Sequence, residues 1–115
     1  MPRKMSCMLT IPQVNARTKL VTRRLGWWFL QPGDIVDLVE KAMGLQKGEK
    51  QVYLATVEIV EAAPQQLRAI TEKECALEGF PDMIPGEFIE MFCKANRAKG
   101  CTPLTLVNRI RWKYT

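Results

Sequence analysis

The chain of 115 residues carries 17 basic against 12 acidic side chains, for a net charge of +5, with 47% hydrophobic and 25% charged residues. Those proportions suit a folded domain with one core and exclude extended disorder. They also exclude a membrane-crossing helix, because no apolar run approaches the ~20 residues that a bilayer span needs.

Met5 to Pro12 reads as a first strand, with Cys7, Leu9 and Ile11 alternating with Met8 and Thr10. Gln13 to Lys19 is polar and suits a turn or a single helical turn. Leu20 to Leu25 forms a short second strand, followed by the aromatic loop Gly26-Trp27-Trp28-Phe29-Leu30. Gln31-Pro32-Gly33-Asp34 is a turn signal, and Ile35 to Glu40 is a third strand. Gly- and Lys-rich Ala42 to Lys50 is an exposed hairpin loop. Gln51 to Glu61 is a fourth strand, with Tyr53, Ala55, Val57 and Ile59 on one face.

The periodicity changes after Ala62-Ala63-Pro64. Thr71-Glu72-Lys73-Glu74 fits a capping box that opens a helix running to Glu78 and stopping at Gly79. A second helix begins near Pro85 or Gly86 behind a poor N-cap, Ile84. Phe88, Met91, Phe92 and Ala95 are spaced as a core-facing stripe on it. From Leu106 to Tyr114 the chain alternates as a terminal strand with one apolar face and one basic face carrying Arg109, Arg111 and Lys113. Early strands, two inserted helices and a closing strand predict an α+β fold, a small mixed or antiparallel barrel with helices packed on it.

Histidine is absent, which excludes Ser-His-Asp and Cys-His catalysis within one chain. Proton transfer would fall to Lys, Glu, Asp, Tyr or Cys. Cys7, Cys75, Cys93 and Cys101 form no C-x-x-C pair, and Glu87, Glu90, Asp34 and Asp37 do not converge on a ligand set, so neither metal nor cofactor is expected. The basic start Met1-Pro2-Arg3-Lys4 lacks the roughly 7–15-residue apolar stretch of a secretory signal behind it, which predicts a cytoplasmic location. The positive balance favours a polyanionic partner, nucleic acid first.

Lys19-x-x-Thr22-x-Arg24, then Gly33-Asp34 ahead of an aliphatic strand, then Glu78-Gly79-Phe80 after a short helix, resembles the ASCH domain of the PUA-like superfamily of RNA-associated barrels. The likeness covers about residues 5–114 of a single domain, 1–115. It implies a PUA-like β-barrel with two packed helices and a cleft for RNA or a modified nucleoside. The order is similar to that of small bacterial N4-acetylcytidine amidohydrolases, and of phage and prophage ASCH proteins. On that resemblance Lys19, Thr22 and Glu78 would be catalytic, and Arg24 would be the cleft arginine. A hydroxyl nucleophile needs a base, and a desolvated lysine can serve. Residues three apart on a regular strand face opposite ways, so Lys19 and Thr22 meet only if Lys19 lies in the turn ahead of the strand. Arg23 departs from the aliphatic residue of the hydrolases, and the loop after it is unusually aromatic.

Arg23, Arg24, Arg109 and Arg111 are candidates to bind phosphate. Trp27 and Trp28 are candidates to stack on a base, a contact worth ~1–3 kcal/mol. The competing expectation is a non-catalytic protein-interaction module, such as a phage-borne regulator.

Overall fold

The computed structural model describes residues 2–115. Its centre is a curled five-stranded sheet, a half-barrel with strand order β1-β3-β4-β5-β2. The strands are β1 (Arg3–Ser6), β2 (Val21–Arg24), β3 (Ile35–Val39), β4 (Tyr53–Gln66) and β5 (Leu106–Tyr114). Among the described residues, only β1 and β3 pair in parallel; the other neighbours are antiparallel. The helices are α1 (Ile11–Asn15), α2 (Glu72–Leu77) and α3 (Pro85–Ala95). The barrel-like α+β expectation therefore holds, with the sheet open between its edge strands β1 and β2.

Two apolar clusters support the sheet. One joins Met5, Val14, Leu38, Val57, Ile110 and Trp112. The other gathers Leu67, Ile70, Cys75, Phe88 and Val107 beneath α2 and α3.

Four elements differ from their sequence expectation. The first strand stops at Ser6, and Met8 and Leu9 are exposed in a helical turn that leads into α1. Pro12 does not end a strand; its fixed φ suits the first turn of a helix. β4 runs past Pro64 to Gln66. Beyond Glu58 its only strand neighbour is β5, so the missing proline N–H leaves no ladder gap on the other side. Tyr53 is exposed, next to the register shift between Leu38 and Val39. The capping box at α2 is half made: the Glu74 N–H donates to Thr71 Oγ1 at 3.3 Å, while the Glu74 carboxylate turns to two arginines.

Candidate functional site

β2 lies at the edge of the sheet, and a cavity of about 330 Å³ opens beside it. One wall is the Ser6–Thr10 segment, another is Phe80 with Phe88, Met91 and Phe92 of α3. The polar floor consists of Lys19, Thr22, Arg23, Arg24 and Glu78.

Lys19 occupies the turn before β2, as convergence with Thr22 requires. Arg17 enters the left-handed region there (φ 63°), and the Lys19 N–H donates to the Gln13 carbonyl at 3.3 Å. From the far end of the chain, the Trp112 indole N–H (2.9 Å) and the Tyr114 hydroxyl (2.6 Å) both donate to the Lys19 carbonyl. With its backbone held, the Lys19 ammonium donates to the Glu78 carbonyl (2.9 Å) and to Glu78 Oε1 (3.0 Å). Glu78 is the C-cap of α2, and Gly79 follows at φ 107°. That conformation favours glycine, and a Cβ there would sit 2.8 Å from Gln13 Cγ. Lys19, Thr22, Arg23 and Glu78 are each only 3% exposed.

The second Glu78 oxygen accepts from Arg23 Nη1 at 2.9 Å. Arg23 Nη2 also reaches Glu74 (2.8 Å) and Gln65 Oε1 (3.0 Å). Arg109 binds both oxygens of Glu74 and one of Glu61. The resulting chain alternates sign: Lys19, Glu78, Arg23, Glu74, Arg109, Glu61. The hydrogen bond from Arg109 is the largest effect on the Glu74 carboxyl; burial opposes it, and with the further hydrogen bond from Arg23 the carboxyl is held down at about 2.

Thr22 Oγ1 accepts from Arg24 Nε at 3.1 Å, and Arg24 Nη2 approaches Cys7 Sγ at 3.6 Å. Burial pushes the Cys7 thiol up, opposed by the nearby Arg24 and Lys19 charges. Trp27 adopts a left-handed conformation (φ 59°), and its carbonyl accepts from Asn108 Nδ2 at 2.8 Å. Its half-buried ring lines the cavity.

Of the predicted residues, Lys19, Thr22, Glu78, Arg24 and Trp27 thus meet at one cavity. Arg23 reaches it too, but its side chain has no exposure and is spent on two carboxylates. Arg109 is likewise engaged with carboxylates, Arg111 is exposed on β5, and Trp28 is exposed outside the cavity lining. Among the described residues, no three His, Cys, Asp or Glu side chains are grouped to hold a metal ion.

Sequence reasoning missed Cys7, Gln65, Glu74 and the two donors to the Lys19 carbonyl. Glu74 read as a capping-box partner, and Trp112 and Tyr114 as the apolar face of a strand. The pairing of β5 with β2 brings Trp112 and Tyr114 to the Lys19 carbonyl.

No family model and no curated protein matches the sequence. Solved structures match the fold, among them these two. The crystal structure of an ASCH domain from Lactobacillus crispatus JV V101 has a TM-score of 0.64 at 17% identity, covering 92% of this chain and 70% of that one. Protein EF3133 from Enterococcus faecalis V583 has a TM-score of 0.69 at 14% identity, covering 100% of this chain and 80% of that one. The half-barrel with its edge-strand cavity is an ASCH-like fold.

Proposed function

We propose that the cavity binds a nucleoside, free or within RNA, and hydrolyses an exocyclic amide of the N4-acetylcytidine type. The observation carrying this is the convergence of a lysine, a threonine and a glutamate, each 3% exposed, on one cavity although Glu78 lies 59 residues from Lys19. Trp27 and the phenylalanines of α3 supply an aromatic wall suited to a base.

In this mechanism the Thr22 hydroxyl adds to the amide carbonyl. The hydrogen bond from Arg24 Nε occupies a lone pair on Thr22 Oγ1 and stabilises charge developing there. The C–N bond then breaks. The proton lost by the hydroxyl passes through the Lys19–Glu78 pair to the departing amine. Water hydrolyses the remaining acyl ester, releasing the acid and restoring Thr22.

The test is incubation with N4-acetylcytidine while cytidine release is followed. Wild type should release cytidine, and Thr22→Ala and Lys19→Ala should each lower the rate by about 10²-fold or more. No release at high enzyme concentration would sink the hydrolase for that substrate.

A second reading, binding without chemistry, is favoured by one feature. The Lys19 ammonium bonds to Glu78 and the Thr22 hydroxyl to Arg24, with no direct Lys19–Thr22 hydrogen bond among the described residues. RNA binding of that kind should weaken steeply with salt. A salt-insensitive partner would instead favour a protein-interaction module, for which Met8, Leu9, Trp28 and Phe29 are exposed apolar side chains.

A further inference from the structure

The buried charges of this site are balanced, with one exception. Lys19 faces Glu78, Arg23 faces Glu78 and Glu74, and Arg109 faces Glu74 and Glu61. Arg24, half-buried in the cavity wall, has no carboxylate within salt-bridge distance among the described residues. Its hydrogen bonds go to a hydroxyl and a thiol, both neutral. A guanidinium carries five N–H donors, and these two contacts use only two of them. Leaving a partly desolvated cation without a counterion is costly, and elsewhere in this site the fold avoids it. The Lys99 side chain, on the turn after α3, contributes a second positive charge to the same cavity.

We infer that the cavity takes a phosphate-bearing nucleotide, whose phosphate pairs with Arg24, in preference to an uncharged nucleoside. Guanidinium and phosphate match as a bidentate pair, and Lys99 adds a point charge. The aromatic wall formed by Trp27, Phe80, Phe88 and Phe92 then takes the base. At about 330 Å³ the cavity lies at the small end of small-molecule sites, so it admits one nucleotide unit at a time. This inference rests on the nucleoside reading above and adds the charge of the ligand.

Calorimetric titration of the full chain at low salt tests it, with cytidine, cytidine 5′-monophosphate and a short oligocytidylate lacking terminal phosphates. The monophosphate or the oligomer should bind at least about tenfold more tightly than cytidine. The tighter of the two names the phosphate's source, a free nucleotide or an RNA backbone. In Arg24→Gln the ratio to cytidine should fall toward one, and in Arg24→Lys part of it should return. Because the readout is a ratio within each variant, a general loss of affinity does not imitate the effect. Equal binding of all three probes would overturn the phosphate subsite and leave the nucleoside reading standing. A ratio that survives in Arg24→Gln would overturn Arg24 as its receptor. Binding of none of the probes would overturn both proposals.

Discussion

Glu74 shows how a surface helix residue becomes part of a buried network. Its carboxyl is held at about 2 by Arg109 and Arg23, well below the reference value of 4.5. A carboxyl lowered in the folded state contributes stability that is present above its unfolded pKa. That stability is lost as pH falls from about 4.5 toward 2. After allowance for solvent screening, the contribution is roughly 1–2 kcal/mol at neutral pH. Urea unfolding of wild type should therefore show stability falling across that window, and Glu74→Gln should be destabilised at pH 7 with a flatter acid limb. An unchanged acid limb in the variant would place the titrating group elsewhere. Arg23 explains the need for the network: it brings a second cation to Glu78, and its Nη2 donates to Glu74 and Gln65, while its buried Nε has no partner among the described residues.

At the scale of the element, the end of α2 sets the site. Glu78 must close the helix with its carbonyl and carboxylate both facing Lys19, which requires the chain to turn away at once. Gly79 provides the turn at φ 107°, and Gln13 of α1 fills the space its missing side chain leaves, donating to the Gly79 carbonyl at 3.1 Å. Gly79→Ala combines positive-φ strain with a 2.8 Å approach to Gln13 and should cost about 1–3 kcal/mol by denaturant unfolding. On the proposed hydrolase reading, cytidine release should fall as well, because the carboxylate moves with the turn. A change within a few tenths of a kcal/mol would show that the turn relaxes without effort. The helical stop at Gly79 was legible in the sequence, as was the placement of Lys19 ahead of β2. The first strand was misread because Cys7, Leu9 and Ile11 alternate in sequence while Met8 and Leu9 project into solvent.

At the scale of the whole molecule, the last strand anchors the first catalytic candidate. Trp112 and Tyr114 reach the Lys19 carbonyl across 93 and 95 residues of chain. Trp112→Phe/Tyr114→Phe removes both donors and cuts the buried indole to a phenyl ring, so the cost of a carbonyl short of partners, about 1–3 kcal/mol, is joined by that of a cavity. The double variant should unfold at lower denaturant. On the proposed hydrolase reading it should also release cytidine more slowly than its folded fraction explains, since the Lys19 turn is no longer held. Full activity per folded molecule would reduce those bonds to a purely structural role.

Composition, turn chemistry and period-two alternation determined much of the fold on their own, because they act locally: the Gln31–Asp34 turn, β3, the helix start at Thr71 and the alternating terminal strand were all readable. Lys19, Thr22 and Glu78 were readable as candidates through spacing and resemblance. Tertiary structure alone decided which charges remain free. Arg23, Arg24, Arg109 and Arg111 are equivalent as sequence, yet side-chain direction on paired strands sends Arg23 and Arg109 to carboxylates on α2 and β4, turns Arg24 onto Thr22 beside the cavity and leaves Arg111 in solvent. That sorting depends on contacts across tens of residues, to which local pattern is blind.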